Sequence, residues 1–148
     1  TASSYVLGGI GFYWFIERMV GIIYWLSMSY KKINFKEKFA KFSAHCEPKV
    51  IAQLNDYEFK LVRIKNGFIW HQHEETDEAF IVIEGAMSIE FENETMTLQQ
   101  GEMIVVPKGV KHRPFAKEEA KIMIVEPKNI RNTGDALDEL TAPNDKWI

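Results

Sequence analysis

The sequence predicts an all-β fold, an antiparallel sandwich or barrel fronted by one short helix, and three observations carry that expectation. Short segments rich in β-branched and aromatic residues recur at close spacing between Val50 and Glu126. Gly, Asn and Pro punctuate them. Helical periodicity in the soluble part of the chain is confined to one stretch ahead of them. With 148 residues, 46% hydrophobic and 26% charged, the chain has the length and composition of a globular domain with its own core.

The amino-terminal stretch stands apart from the rest. Val6 to Leu26 is rich in Phe, Tyr, Trp, Ile and Gly with only Glu17 and Arg18 charged, and ordinary soluble composition begins at Met28-Ser29-Tyr30-Lys31-Lys32. Its length would suit a membrane helix, but two charges near the centre each cost about 2.5–3.5 kcal/mol on insertion scales. A basic leader and a small-residue cleavage site are missing. Residues 1–27 are therefore read as an expression-derived or upstream-translated extension, with a membrane anchor as the alternative, and residues 28–148 as the folded domain.

From Met28 onward the elements follow in order. Phe35, Phe39 and Phe42 recur at helical spacing in Lys/Glu-rich sequence, which predicts a short amphipathic helix lying on the sheet. Strands are then predicted at Val50 to Leu54, Phe59 to Lys65, Phe68 to His73, Glu78 to Glu84, Met87 to Phe91, Thr95 to Leu98, Met103 to Val106, His112 to Phe115 and Lys121 to Glu126. The tail from Pro127 to Ile148 is long for a loop and is expected to wrap the barrel wall.

Charge and cysteine content narrow the function classes. A net charge of −3 gives no support for nucleic-acid binding, and the lysines between Lys31 and Lys41, interrupted by Glu37, read as a solvated helix face. Cys46 is the single cysteine, so an intrachain disulfide is excluded and a reducing, cytoplasmic setting is expected. With no base placed beside it, Cys46 is read as a buried structural thiol.

The chemistry is concentrated in three of the four histidines. Side chains alternate faces in a strand, so His71 and His73 point the same way and can present two imidazoles to an ion about 2 Å from each nitrogen. Glu78 lies at odd spacing from them, so Glu74-Glu75-Thr76-Asp77 must form a polar bend that brings the carboxylate to the mouth of the next strand. Farther on, Gly101-Glu102 turns into the strand Met103 to Val106, and Pro107-Lys108-Gly109 turns the chain again before His112.

These two segments resemble the paired motifs of the cupin superfamily. The resemblance implies a double-stranded β-helix, or jelly roll, holding one metal with three His and one Glu. The family roles carry over to His71, His73, Glu78 and His112. Gly67 stands nearer His71 than the family's opening glycine does, and Ala116 occupies a position where asparagine is usual, but neither is a ligand position. Phe42-Ser43-x-His45, Leu54-Asn55-Asp56-Tyr57 and Asn132-Thr133-Gly134-Asp135 are further similar to small bacterial single-domain cupins of a sugar-phosphate-isomerase-like kind. Three imidazoles and a carboxylate suit one divalent transition metal, Fe, Mn, Ni, Co or Zn, with positions left for a ligand.

Two functional classes follow: a metal-dependent enzyme of dioxygenase or isomerase type acting on a small chelating molecule, and a module that binds such a molecule without turnover. The sequence leaves open whether the protein is catalytic. If His71 and His73 face inward, Ile69 and Phe80 should line the same pocket, which suits an apolar chelator better than a sugar phosphate. Arg63, Lys111 and Arg113 are read as rim residues, Glu74, Glu75 and Asp77 as a solvated turn, and His45 as a helix cap. A homodimer is expected by family analogy and from the need to cover edge strands.

Overall fold

Strand periodicity sets the architecture. The protein is described by a computed structural model that covers residues 18–19, 31–136 and 138–148; apart from Arg18 and Met19, the extension over residues 1–27 lies outside the described residues. A short helix, α1 (Phe35–Phe39), precedes the strands β1 (Lys49–Leu54), β2 (Tyr57–Gly67), β3 (Glu78–Glu84), β4 (Ala86–Phe91), β5 (Thr95–Gln99), β6 (Met103–Val106) and β7 (His112–Pro127). Every pairing between these strands is antiparallel. In β3 the burial alternates, with Glu78, Phe80 and Val82 turned inward, as one face against a core requires.

One sheet runs β1-β2-β7-β3-β6, while β4 pairs with β5 and with β7. The 16-residue β7 serves both layers: its start, His112 to Phe115, lies along β4, and its end, from Ala120 on, lies between β2 and β3. The expected double-stranded β-helix is therefore the observed fold. The two strands predicted at His112 to Phe115 and Lys121 to Glu126 are one continuous strand, with a register shift opposite Ile64 and Asn66 absorbing the bend. At Gly85, between β3 and β4, φ is +85°, and a Cβ would stand 3.1 Å from Glu119 O, so both backbone hand and space favour glycine there.

The core lies inside the barrel, where Val62, Ile64, Phe80, Val82, Met87, Ile89, Ile122 and Ile124 are buried together. Each such side chain contributes about 1.5–3 kcal/mol by leaving water. A second cluster forms on the outer face, where Phe39 of α1 packs with Ile51 and Leu61. The Asn34 side chain caps α1 by accepting from Glu37 N at 3.3 Å. Phe42 lies beyond the helix end, yet its ring centroid remains 5.7 Å from that of Phe39. As expected, the tail returns along the barrel: Val50 N donates to Lys146 O at 2.8 Å, Ile148 N donates to Val50 O at 3.1 Å, and Ile148 joins the outer cluster.

One predicted strand is not formed. Between Phe68 and His73 the backbone meets β7 only at Phe68, which donates to Pro114 O at 2.9 Å, and at His71, which makes an isolated bridge to His112. Beyond that bridge the segment is held by turns, with Gly109 N donating to His73 O at 2.8 Å and Asp135 N to Gln72 O at 3.1 Å. Among the described residues no helix is long and apolar enough to cross a membrane.

Candidate metal centre

His71 and His112 are joined before their rings meet. Each backbone N–H donates to the other's carbonyl, at 3.0 and 2.9 Å, a reciprocal antiparallel pair that places both side chains on one face with ring centroids 4.4 Å apart. Each ring is then oriented locally. Nδ1 of His71 donates to Ile69 O and Nδ1 of His112 to Val110 O, both at 3.0 Å. A carbonyl only accepts, so the proton sits on Nδ1 and leaves the Nε2 lone pair free, the arrangement found in metal-ligating histidines.

The bend before β3 does what its odd spacing required. Asp77 accepts from Lys108 N at 2.9 Å, which ties the bend to the Pro107–Gly109 turn, and Glu78 then opens β3 only 2% exposed. Glu78 Oε2 lies 3.3 Å from Nε2 of His73 and 3.3 Å from Nε2 of His112. His71, His73 and Glu78 each offer a ligand atom within 4.8 Å of the others. All four residues singled out from the sequence are buried; His112 meets Glu78 but is not part of the three-residue group whose ligand atoms all lie within 4.8 Å of one another.

Burial and neighbours set the protonation. Burial pushes the His71 pKa down to about 4, assisted by the His112 imidazole beside it. Burial also pulls on His73, but the adjacent Glu78 carboxylate outweighs it and holds the pKa above the ordinary imidazole value. Burial would raise Glu78, yet His112 and His73 hold it well below the usual carboxylate range.

Two features fit a cation. His73 Nε2, Glu78 Oε2 and His112 Nε2 are buried without hydrogen-bond partners, although they face one another. One ion at the convergence would satisfy all of them. The second feature is a row of carboxylates that sequence reasoning missed. The β2–β7 register sets Glu58 opposite Glu126, and the β3–β7 register sets Ala79 opposite Val125, so Glu126 falls beside Glu78. Lys60 Nζ is 3.0 Å from Glu126 Oε1 and 3.4 Å from Glu58 Oε2, with Lys60 and Glu126 each 1% exposed. Glu58, Glu78 and Glu126 outnumber the single ammonium of Lys60 in this buried row, so a positive charge at Glu78 would ease the crowding of carboxylates. Burial, and then the charge of Glu78, raise the Glu126 pKa to about 8. The missed signal was phase: Glu58 and Lys60 alternate in step with Val62 and Ile64, and Glu126 in step with Ile122 and Ile124.

A small cavity of about 30 Å³ opens on the cluster, walled by Val62, Ile64, Phe68, Phe80, Pro114 and Ile124, with Pro48, Cys46, Asn132, His71 and Glu78 completing the lining. Phe80 lines it as expected; Ile69 does not, and Phe68 stands there instead. Cys46 is half-buried on this wall at φ +59°, and burial raises its thiol pKa, which keeps it protonated and weakly nucleophilic.

The flanking charges fall outside the cavity. Arg63 donates to Phe39 O at 2.8 Å, to Phe42 O at 3.0 Å and to Glu119 at 2.6 Å, so it ties α1 to the barrel exterior. Arg113 pairs with Glu90 at 2.5 Å and lies over the Trp70 ring. Lys111, Glu74, Glu75 and Asp77 are exposed. His45 does not cap the helix as expected; its Nε2 lies 2.9 Å from Glu119 Oε2, which draws it to the strand side.

Known proteins share this plan. A family profile described as "Cupin domain" matches residues 61–126. A crystal structure of a cupin-2 domain containing protein from Shewanella frigidimarina is 57% identical over 65% of this chain and 94% of its own, with a TM-score of 0.64. A protein from Neisseria meningitidis is 31% identical over 66% of this chain and all of its own, with a TM-score of 0.61. Uncharacterized protein YdbB of Bacillus subtilis is 38% identical over 53% of this chain, and the match spans 64% of that relative's length.

Proposed function

Because this chain belongs to the cupin superfamily, we propose that it is a metal-dependent enzyme of dioxygenase or isomerase type, which holds one divalent ion of Fe, Mn, Ni, Co or Zn with His71, His73, Glu78 and His112 and acts on a small chelating molecule. The observation that carries the reading is the convergence of buried, hydrogen-bond-orphaned Nε2 and carboxylate atoms at the head of an apolar cavity. Bound there, the ion would supply Lewis-acid polarisation of a coordinated oxygen and a charge to orient a chelator. His71 and His112 bring preset Nε2 lone pairs. Phe68, Phe80, Val62 and Ile124 wall a cavity of only about 30 Å³ beside the ion, so they would shield it from water and contact the part of a chelator nearest the metal.

A second reading, a module that binds without turnover, is favoured by one feature. Beyond His71 and Glu78, the titratable cavity-wall group is the protonated thiol of Cys46, and Glu126 and Lys60 do not reach the wall. Elemental analysis of protein purified without added metal, followed by catechols, diketones and sugars offered with oxygen uptake recorded, separates the two. Turnover of any of them with the metal present supports the enzyme; tight binding of a chelator without turnover supports the module; metal-free protein that takes up none of these ions contradicts both.

The site also predicts how binding depends on pH. Glu78 holds a proton on His73 above the usual imidazole range, and His73 must release it to ligate. Apparent metal affinity should therefore rise with pH through neutrality, by as much as about tenfold per unit while His73 remains protonated. Chelator competition at about pH 6 and about pH 8 measures this. Equal affinity at the two values would mean that His73 is not a ligand.

The proposed setting is a cytoplasmic homodimer. β6 pairs with β3 alone among the described strands, and it exposes Met103 (56%) and Val105 (49%) beside an edge that needs cover. Val105→Lys should shift a dimer to monomer in light scattering; a parent chain already monomeric at the same concentration removes this part.

A further inference from the structure

We infer that the turn Asn132–Asp135 is a clamp that sets the position of His73, with Gly134 and Asp135 as positioning residues for the metal centre, a role that rests on the reading of His73 as a ligand. Asp135 holds the chain on both sides of that histidine. Its N–H donates to Gln72 O at 3.1 Å, and its Oδ2 accepts from Glu74 N at 3.2 Å. Gly134 closes the contact from above. Its φ is +56°, and a Cβ there would stand 2.0 Å from Gln72 O, 2.9 Å from Gln72 C and 3.3 Å from His73 Nδ1. Backbone atoms cannot swing aside as a side-chain tip can, so any larger residue must displace the His73 segment or the turn.

The turn has little room to retreat. Asn132, buried, donates to Cys46 O at 3.1 Å and to Leu140 O at 2.9 Å and accepts from Ala142 N at 2.9 Å. Thr133, fully buried, shares a 2.8 Å hydrogen bond with Thr141. The histidines also differ in how they are held. His71 and His112 have a reciprocal backbone bridge and an Nδ1 bond to the carbonyl two residues earlier. His73 sits beyond the bridge, and its flanking peptides are fastened by the tail. Tail and ligand segment are 61 residues apart in sequence at the Glu74–Asp135 bond, so the contact exists only in the folded chain.

Co(II) titration of the full chain tests this, read both as Kd and as the visible ligand-field spectrum. Asp135→Ala should weaken Co(II) binding by about 10–100-fold, the range for residues that orient a ligand, and should alter the spectrum of whatever binds. Asp135→Asn keeps a side-chain oxygen for Glu74 N and should retain the parental Kd and spectrum. Gly134→Ala should lose affinity at least as far as Asp135→Ala; should it fail to fold, the two Asp135 variants still decide. Asp138→Ala, in the same loop but bonded to Leu140 N, should bind like the parent. A parent that binds Co(II) alongside an Asp135→Ala chain with the same Kd and spectrum overturns the clamp alone, as does an Asp138→Ala loss equal to that of Asp135→Ala. A parent that binds no Co(II) overturns the metal reading and the clamp with it.

Discussion

Lys60→Ala should lower the unfolding free energy by about 3–5 kcal/mol, because it leaves Glu58 and Glu126 in the interior without the cation that faces both. The loss should grow as pH rises past about 8, because burial and Glu78 already raise the Glu126 carboxyl to about 8 with the ammonium in place. Without the ammonium that carboxyl keeps its proton in the folded chain to a higher pH still. The folded state then binds more protons, and stability falls as pH rises above the unfolded carboxyl range. Adding Glu126→Gln to Lys60→Ala removes one of the stranded charges and should recover part of the loss. Urea unfolding at about pH 7 and about pH 9 is the measurement. A Lys60→Ala midpoint equal to the parent's at both values would mean that water reaches this cluster and that the buried charge balance does not hold.

The second large effect is on metal content. His71→Ala and His112→Ala should each weaken metal binding by more than the 10–100-fold typical of outer-shell residues, since each deletes an Nε2 that its Nδ1 bond had aimed at the centre. The fold should survive, because the barrel core of Val62, Phe80, Ile122 and their neighbours is independent of either ring. Equal metal in parent and variant, with circular dichroism unchanged, would place the ion elsewhere. Glu78→Gln is informative beside them. It keeps the shape and removes the charge, so it separates the electrostatic share of binding from the geometric one.

Legibility differed from residue to residue for physical reasons. His71, His73, Glu78 and His112 could be singled out because a metal site demands particular donor types, and the structure buries all four, with Glu78 facing His73 and His112. The barrel could be read because alternation of apolar residues in short runs has few other solutions. Parity placed Phe80 in the cavity correctly but placed Ile69 there wrongly, since the segment around Ile69 leaves the ladder and parity ceases to apply. His45 was assigned by proximity to a helix end, but a carboxylate 74 positions away captured it.

By itself, then, the sequence determined the fold class and the family likeness and pointed to a buried cluster of His71, His73 and Glu78, consequences of local periodicity and donor chemistry. Only the tertiary structure decided that β7 runs unbroken through both layers, that Glu58, Lys60 and Glu126 form a charged row beside Glu78, and that the tail fastens the peptides around His73. Each of these depends on strand register or on contacts between residues tens of positions apart. A register is fixed by the packing of the whole barrel, and a one-residue slip would turn the row of glutamates outward without altering any motif in the chain.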